Sequence, residues 1–533
     1  YIVLIPASWY TDSMKRRLPI GIQDFVGIRR DGFCYVDKTA RIHELITGSG
    51  KTFFLSRPRR FGKSLLCSTL GALFEGRREL FTGLAIDALP WEWKKCPVIR
   101  IDLNAGRYTE GVKHLDARLS GALVSTAESA GLSLRGGSLE EQFAFLIKDL
   151  YTQTGETVAV LVDEYDKPLL NTIENTELHT SIRSALKAFY GVLKSADAYL
   201  RFVFLTGVTK FAQISVFSDL NHLTDISLDP AFCDICGFTQ EELERDFALE
   251  ITGCAENSGM EREAYLERLK CFYNGYRFSR KPLTMYNSFG ILHHFNRLGE
   301  FLPYWFESGT PTFLIKLLEK QRIDILHLEN FTVRHEDFRK YDAATMEAVP
   351  VLYQSGYLTI TGYNSERSMF TLDYPNDEVR SSFAGALVET YLHVPEQQLH
   401  SFIARFVNCI YDGDVDGIMN ALKPFFASIP YGLLANRENY YEMVIHLIFT
   451  MLGLQCRSEV RIASGRIDTL VETNKFVYCF EFKLNGSAEA ALAQIDRKEY
   501  LLPWQGSGKK LFKIGATFNR KKRNIGGWKT VIV

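Results

Sequence analysis

Short apolar runs alternate with helix-like segments through the first half of the chain. Each run reads as a continuous apolar stretch, which is typical of strands that helices cover on both faces. The runs are Thr52–Ser56, Val98–Leu103, Val158–Val162 and Phe202–Thr206, and the segments Ser64–Phe74 and Ser181–Leu193 show helical spacing between them. The alternation predicts a parallel α/β domain over residues 18–236.

The pattern becomes mostly helical after Gly237. Thr239 is a predicted N-cap, with Glu241 and Glu242 in the first turn of the helix that follows. We expect a helical lid or linker over 237–340. A helix, a glycine break and a strand pair then predict a winged-helix-like element over 341–378.

The last part of the chain returns to an α/β pattern. We expect a helical lead-in from residue 379 and an α/β domain whose core covers 438–533. The predicted order is a helix at Tyr440–Leu452, strands at 458–463, 466–472 and 476–483, a helix at Ser487–Tyr500 and a strand at 511–518. A hairpin through Thr473 and Asn474 would pair the second and third of these strands.

Charge, cysteine spacing and the length of the apolar runs indicate a cytoplasmic protein without a membrane span. The formal net charge is −1, so any contact with nucleic acid must come from local basic patches. The ten cysteines lack a disulfide framework or zinc-ligand spacing, which indicates reduced thiols and a cytoplasmic protein. No apolar run is long enough for a membrane span, so we expect no membrane partner.

A candidate phosphate-binding loop follows the first apolar run and opens an apolar helix. In that setting backbone N–H groups and the positive end of the helix face an anion. Lys63 would reach the β/γ-phosphates, and the Ser64 hydroxyl would ligate Mg²⁺. Arg57 stands where the usual motif has its first glycine. The loop residues predicted to bind the nucleotide are Arg57, Arg59, Arg60, Phe61, Gly62, Lys63 and Ser64.

A second acidic feature supports this interpretation. The run from Val158 ends in Asp163 and Glu164, as a Walker-B strand does. Asp163 would then hold Mg²⁺ through water and Glu164 would orient the attacking water. Thr206, at the end of the fourth run, would sense the γ-phosphate. The structural alternative is a basic surface turn beside an ordinary acidic strand end.

A candidate metal site lies near the end of the chain. Glu481 and Lys483 are two residues apart on one predicted strand, so they project from the same face, and the hairpin brings Asp468 towards them. Two carboxylates and an amine suit a divalent metal and an activated water. The structural alternative is an edge-strand salt bridge beside a turn aspartate.

Five motifs resemble the AAA-ATPase-like family of bacteria and archaea. They are L-P-I-G-I-Q-D-F at 18–25, Y-V-D-K-T at 35–39, R-P-R-R-F-G-K-S at 57–64, V-D-E-Y-D-K-P at 162–168 and L-T-G-V-T-K-F at 205–211. The resemblance implies an AAA-type fold with ATP binding, and hydrolysis is expected from it; it also accommodates the arginine at position 57. Lys210 follows the sensor strand, where a basic residue is often found. Arg59 and Arg60 are alternative sources of that charge.

The last stretch resembles the PD-(D/E)XK nuclease domain that commonly follows this ATPase domain. The resemblance adds Glu442 in the preceding helix and Gln494 in the following helix to Gly465-Arg466-Ile467-Asp468 and Glu481-Phe482-Lys483. It implies that Glu442, Asp468 and Glu481 hold Mg²⁺ or Mn²⁺. Lys483 would act on the water or on the phosphate charge, and Gln494 would position Lys483 or the DNA backbone.

Other features are expected to be structural. The aromatic motifs Tyr273–Phe278 and Met285–Phe289 belong in turns and cores, and Cys233 with Cys236 forms an isolated pair of thiols. His293 and His294 lack a third ligand for zinc. Lys509-Lys510 and Arg520–Arg523 are either solvated faces or contacts to a phosphate backbone beside the nuclease site.

Two functions from different classes remain open from the sequence. In the first, the ATP-binding module regulates a metal-dependent nuclease that acts on nucleic acid, with DNA as the expected partner and defence against foreign DNA as a suitable role. In the second, the chain is a nucleotide-dependent binding or signalling switch with a non-cleaving nuclease-like domain. Self-association into a homo-oligomer is compatible with both.

Overall fold

The computed structural model describes residues 16–210, 223–308, 312–321, 323, 328–334, 348–391, 396–429, 440–452, 455–462, 465–483, 486–519 and 524–533. The chain divides into two compact units. The first comprises Tyr1–Trp305 and Thr332–Asn376, and the second comprises Phe306–Phe331 and Asp377–Val533. The predicted boundaries near 237, 341 and 379 stay predictions.

A five-stranded parallel sheet forms the centre of the first unit. Its strands are β1 (Thr52–Ser56), β2 (Val98–Asp102), β3 (Val158–Asp163), β4 (Leu200–Gly207) and β5 (Thr224–Asp225), in the spatial order β2-β3-β4-β1-β5. The associated helices are α1 (Phe25–Arg30), α2 (Thr39–Thr47), α3 (Lys63–Phe74), α4 (Val112–Ser129), α5 (Leu139–Thr154), α6 (Lys167–Asn171) and α7 (Thr176–Ser195). The parallel α/β fold predicted from the sequence is therefore confirmed.

Strand β3 shows why its sequence is apolar throughout. Val158, Val160 and Val162 face a core formed with α4, α5 and α7. Ala159 and Leu161 face the opposite core, which includes residues of α1, α2 and α3. Successive strand side chains alternate faces, so a strand between two helical layers needs apolar residues at every position.

Helices dominate the rest of the first unit. They are α8 (Gln240–Asp246), α9 (Ala248–Ser258), α10 (Arg262–Tyr273), α11 (Ser288–Asn296) and α14 (Ala348–Ser355), with α12 (Tyr304–Glu307) at its boundary. Thr239 caps α8 as predicted, in a reciprocal capping box with Glu242. Glu242 also forms an ion pair with Lys38 at 2.6 Å, which ties the Y-V-D-K-T motif to this helix.

A helix and a strand pair occupy the segment predicted to be winged-helix-like. Strands β7 (Thr359–Asn364) and β8 (Met369–Asp373) follow α14 and pair antiparallel, and β6 (Phe331–Arg334) pairs with the outer side of β8. Residues 341–347 of this segment lie outside the described residues. The winged-helix assignment stays a prediction.

The second unit is built on a five-stranded mixed sheet. Its strands are β9 (Gln455–Ile462), β10 (Gly465–Glu472), β11 (Phe476–Lys483), β12 (Lys510–Asn519) and β13 (Asn524–Ile532), in the order β13-β12-β11-β10-β9. The helices are α13 (Thr312–Gln321), α15 (Asp377–Tyr391), α16 (Glu396–Asp412), α17 (Val415–Ser428), α18 (Tyr440–Met451) and α19 (Ala488–Arg497). Strands β11 and β12 are parallel to each other.

The hairpin of β10 and β11 turns through Thr473 and Asn474 as predicted. Strand β13 was not predicted. Its sequence contains Gly526 and Gly527, and glycine is depleted in strands, so the local signal is weak. Because its local strand propensity is low, β13 is stabilised by its pairing with β12 and by packing against α17.

Across the described residues, we find no helix that combines the length and the apolar character needed to cross a bilayer.

A buried tyrosine–histidine pair lies in the helical part of the first unit. The Tyr265 hydroxyl and His294 Nε2 are 2.5 Å apart, and His294 Nδ1 lies 2.9 Å from the Glu300 carbonyl oxygen. The neutral ring satisfies both contacts when Nδ1 donates and Nε2 accepts. Burial lowers the pKa of His294 to about 4, although the Glu300 carbonyl opposes this shift. His294 is therefore a structural residue in this core.

The first prediction concerns Gly275, in the Tyr273–Phe278 motif. Its φ is +99°, and an added Cβ would lie 1.7 Å from the Pro375 carbonyl oxygen. Gly275→Ala should therefore lower the unfolding free energy by more than about 3 kcal/mol, measured by denaturant unfolding. Gly131→Ala is the matched control, since Gly131 has φ +70° and open space around it. It should cost about 1–2 kcal/mol, and equal effects at the two positions would contradict the close approach.

The second prediction concerns pH. The folded-state pKa of His294 is lowered from 6.5 to about 4. At pH values between these two, His294 therefore takes up a proton when the protein unfolds. Its contribution to stability is fully present above about pH 6.5 and is lost as the pH falls towards 4, roughly 3 kcal/mol in total. The stability advantage of wild type over His294→Asn should shrink when denaturant unfolding is measured at pH 7.5 and then at pH 4.5. A constant difference would show that this site does not titrate on unfolding.

Candidate functional site

The loop between β1 and α3 has the backbone of an anion-binding turn. The Lys63 ammonium donates to the carbonyl oxygens of Arg57 and Pro58, both at 3.0 Å, which draws the loop round the start of α3. Arg60 and Gly62 adopt left-handed φ angles of 63° and 90°. No described residue accepts a hydrogen bond from the backbone N–H groups of Arg59 to Ser64. These donors and the positive end of α3 are therefore free to bind an anion.

Arg57 anchors the start of this loop. Its side chain is 1% exposed, and its guanidinium donates to the carbonyl oxygens of Ser56, Ser227 and Phe232 at 2.8–3.0 Å. It also lies over the ring of Phe278, with 4.2 Å from Cζ to the ring centroid. Burial lowers the pKa of this guanidinium. Its side chain is committed to protein contacts, so binding of nucleotide by Arg57 stays a prediction.

The other loop side chains divide into one anchor and two exposed cations. Phe61 is buried, and its ring packs edge-on against Tyr276 at 4.8 Å and Phe278 at 5.3 Å. Arg59 and Arg60 are exposed, with Arg60 Cζ over the ring of Phe289 at 4.8 Å. Ser64 lies in the first turn of α3. The two aromatic motifs considered structural from the sequence thus contact this loop directly.

The carboxyl ends of β3 and β4 bring the acidic candidates together. The Thr206 hydroxyl donates to Asp163 Oδ1, and the backbone N–H of Glu164 donates to the Thr206 hydroxyl at 3.4 Å. Burial raises the pKa of Glu164, and the nearby Lys63 and Lys167 ammonium groups oppose that rise. Since β3, β4 and β1 are neighbours in the sheet, these residues share one edge with the loop. The set of hydroxyl and carboxylate oxygens suits Mg²⁺.

Two further residues at this edge are fixed by partners within the unit. Asp166 is buried and accepts from the N–H groups of Val208 and Thr209 and from the Thr209 hydroxyl. It ties the turn after β3 to the segment after β4, a role that the sequence pattern alone did not indicate. Lys210 forms an ion pair with Asp225 at 2.6 Å, so its charge is already compensated.

The candidate site in the second unit is a connected polar chain. Asp468 Oδ2 accepts from the Phe482 N–H at 2.9 Å, which locks the carboxylate against β11. The Lys483 ammonium donates to Glu481 Oε1 at 2.8 Å and to Gln494 Oε1 at 2.7 Å. Four predicted residues therefore lie together: Asp468 in the first half of β10, Glu481 and Lys483 at the end of β11, and Gln494 in α19.

The Glu481 carboxylate is in an electrostatically costly position. Its side chain is 1% exposed, and Oε2 has no hydrogen-bond partner among the described residues. Burial, followed by repulsion from Asp468, raises the pKa of Glu481 to about 7, although Lys483 lowers it. An unpaired buried carboxylate oxygen beside a second carboxylate fits a divalent cation, which would compensate both charges.

Glu442 is in helix α18, which packs against β9 and β10. The placement of its side chain lies outside the described residues, so its role as a third metal ligand stays a prediction. Within the described part of the chain, no cluster of three or more His, Cys, Asp or Glu side chains has the geometry of a metal site.

Tyr500 is a further member of this site. The Gln494 Nε2 donates to its hydroxyl at 3.4 Å, which fixes the amide with Oε1 towards Lys483. Burial raises the pKa of Tyr500, and the Glu481 and Asp468 charges add to the rise. The sequence placed Tyr500 at the end of a predicted helix, and its position six residues after Gln494 gave no sign of this contact.

Lys509 and Lys510 are not beside this site. Lys510 pairs in register with Phe476 at the start of β11, whereas Thr517 pairs with Lys483. The seven-residue separation is about 23 Å along the strand. Lys509 forms an ion pair with Glu472 at 2.6 Å. The expectation that this pair of lysines flanks the site is therefore wrong, and Arg520–Arg523 lie outside the described residues.

Comparisons with known proteins agree with this geometry. Residues 19–217 match the model of a family described as a predicted AAA-ATPase, and residues 436–528 match the PD-(D/E)XK nuclease superfamily. An uncharacterized protein in the vnfD 5'region of Azotobacter chroococcum mcd 1 is 36% identical over 525 residues, covering 96% of this chain and 98% of the relative. The chain therefore belongs to the family of proteins that join an AAA-ATPase-like domain to a C-terminal PD-(D/E)XK nuclease superfamily domain.

Proposed function

We propose that this protein binds ATP in its first unit and uses the nucleotide state to regulate a metal-dependent nuclease in its second unit. The observation that carries the nuclease assignment is the convergence of Asp468, Glu481 and Lys483, with one oxygen of Glu481 buried and unpaired. An edge-strand salt bridge would have no reason to bury an excess carboxylate. The expected substrate is DNA.

The residues of the second unit support phosphodiester hydrolysis in defined roles. Asp468 and Glu481 would hold Mg²⁺ or Mn²⁺, with Glu442 as the third predicted ligand. When bound, the metal supplies a Lewis acid and lowers the pKa of an attacking water. Lys483, held by Glu481 and Gln494, presents its remaining N–H to the reacting phosphate or water. Tyr500 fixes the Gln494 amide, so it acts as a positioning residue.

The residues of the first unit support ATP binding and hydrolysis. The free N–H groups from Arg59 to Ser64 would hold the phosphates, and Lys63 would neutralise their charge. Ser64 and Asp163 would hold Mg²⁺, and Thr206 fixes the orientation of the Asp163 carboxylate. Glu164 would orient the attacking water, since burial raises its pKa towards that of a general base. Arg59 and Arg60 are the exposed guanidinium groups available for the γ-phosphate.

A defence role against foreign DNA fits a nuclease that a nucleotide switch restrains. The free cysteines in the described part of the chain, most of them buried, support a reducing compartment such as the cytoplasm. The alternative function is a switch whose nuclease-like domain binds a partner without cleaving. The two differ in one measurable property, which is metal-dependent cleavage.

The third prediction tests the loop. Wild-type protein should bind a fluorescent ATP analogue with Mg²⁺, and Lys63→Ala should bind it at least 100-fold more weakly, because the ammonium would contact two charged phosphates. Equilibrium titration measures both. Lys148→Ala is the control, since Lys148 is exposed on α5 and its side chain forms no hydrogen bond or ion pair with the described residues of either site. Equal binding by wild type and Lys63→Ala would overturn the loop assignment.

The fourth prediction tests the nuclease. With Mn²⁺ or Mg²⁺ the protein should nick or cut plasmid DNA, and Asp468→Ala or Lys483→Ala should reduce the rate by about 10²-fold or more. Glu481→Gln should also weaken Mn²⁺ binding in calorimetry, because it removes a negative ligand. These assays should be run with and without the ATP analogue.

Lys509→Ala is the matched control for Lys483→Ala. It also removes an ammonium group, but Lys509 precedes β12 at the end of the sheet opposite to Lys483. It should leave cutting unchanged. DNA binding without cutting under all metal and nucleotide conditions would favour the non-cleaving switch. Unchanged cutting by Asp468→Ala and Lys483→Ala would assign the activity to another protein in the sample.

A further inference from the structure

The outer side of the phosphate-binding loop is held by residues far away in the sequence. The indole Nε1 of Trp305 donates to the Arg59 carbonyl oxygen at 2.9 Å. The Arg60 carbonyl oxygen accepts from Asn287 Nδ2 at 3.4 Å and from the Ser288 hydroxyl at 3.3 Å. With the two bonds from Lys63, the carbonyl groups of four successive loop residues all have donors.

These contacts determine which way the loop's donors face. In a trans peptide the C=O of one residue and the N–H of the next lie in one plane and point in opposite directions. Holding the Arg59 carbonyl therefore fixes the direction of the Arg60 N–H, and holding the Arg60 carbonyl fixes that of the Phe61 N–H. Both N–H groups belong to the set that has no acceptor among the described residues.

The loop needs such support because its own conformation is unfavourable. Arg60 has φ 63°, a left-handed conformation that costs a residue with a side chain about 1–2 kcal/mol. Neighbouring groups also restrict it: Phe61 packs between aromatic rings, and an added Cβ on Gly356 would lie 2.8 Å from Pro58 Cβ. Side chains outside the loop thus maintain a backbone that the loop sequence alone disfavours.

Contacts with the surrounding protein hold the supporting side chains in position for these hydrogen bonds. Asn287 is fully buried, and its side chain has two tasks: Oδ1 caps α11 by accepting from the Gly290 N–H at 2.9 Å, and Nδ2 reaches Arg60. Trp305 is 4% exposed and packs against the rings of Tyr276 and Tyr357. Ser288 is adjacent to Asn287 on the same helix start. The motif Met285–Phe289 and Trp305 therefore have a common target in the loop.

We infer that Trp305, Asn287 and Ser288 are positioning residues for nucleotide phosphates, acting through the carbonyl groups of Arg59 and Arg60. This inference rests on the proposed ATP binding at the loop. Its consequence is specific: loss of these donors lets the two peptide planes rotate, so affinity falls for the triphosphate and not for the adenosine part of the ligand.

The fifth prediction tests this with variants that remove donors and keep packing. Trp305→Phe retains an aromatic ring and loses the indole N–H. The double variant Asn287→Ser/Ser288→Ala retains an N-cap residue for α11 and loses both donors to Arg60. Each should weaken binding of the Mg²⁺-ATP analogue about fivefold, the effect of one ordinary hydrogen bond. Competition by adenosine should be unchanged, and the melting temperature without nucleotide should fall by no more than a few degrees, because each variant loses only ordinary hydrogen bonds.

Trp528→Phe is the matched control, because it loses an indole N–H bond of 2.7 Å to Asp416 in the second unit. It should bind the ATP analogue like wild type. Normal binding by both donor variants, while Lys63→Ala loses binding, would overturn this inference and leave the proposed function standing. Equal loss of adenosine and ATP analogue would also overturn it, since that pattern indicates general damage. If wild type binds the ATP analogue no better than Lys63→Ala does, both this inference and the proposed ATP binding at the loop are overturned.

Discussion

The cost of removing charged groups from water governs both candidate sites of this protein. Arg57, Lys63 and Asp166 are nearly fully buried in the first unit, and each forms at least two hydrogen bonds with backbone groups, although Nε of Arg57 has no partner among the described residues. Glu481 is equally buried in the second unit, yet one of its oxygens has no partner among the described residues. Such an imbalance is costly, and it is relieved when the carboxyl group takes up a proton or when a cation binds beside it. Arg57, Lys63 and Asp166 thus have structural partners, whereas Glu481 is the proposed ligand of a cation.

In the first unit, hydrogen bonds to the carbonyl groups of the loop between β1 and α3 fix the direction of that loop's N–H groups. A loop that binds phosphate through its backbone must keep several N–H donors without a protein acceptor. Those donors stay available only if the loop is held in a conformation that prevents them from bonding to other protein groups. Lys63 holds the early carbonyls from inside the loop, while Trp305 and the start of α11 hold the later ones from outside. If the proposed ATP binding holds, nucleotide affinity in this chain depends on segments that follow the sheet as well as on the loop motif.

The candidate site of the second unit combines the first half of β10, the end of β11 and helix α19. Asp468 is fixed by the backbone of β11, and Lys483 is fixed between Glu481 and an amide that Tyr500 orients. Each of these side chains is held by a neighbour that is itself held, and such restraint would favour the proposed reaction by limiting the motion of the groups. The same sheet carries Lys509 and Lys510 at its other end, so basic residues close in the sequence to the site are distant in space.

The sequence by itself determined the parallel sheet, the helix cap at Thr239, the β10–β11 hairpin and the convergence of Asp468, Glu481 and Lys483, because strand periodicity and short connections are local properties. It did not reveal strand β13, the roles of Tyr500 and Asp166, or the distance of Lys509 from the site. Nor did it show that Trp305 and Asn287 support the loop. Those features depend on strand register and on contacts between residues up to about 250 positions apart, which only the tertiary structure decides because packing, and not propensity, brings such groups together.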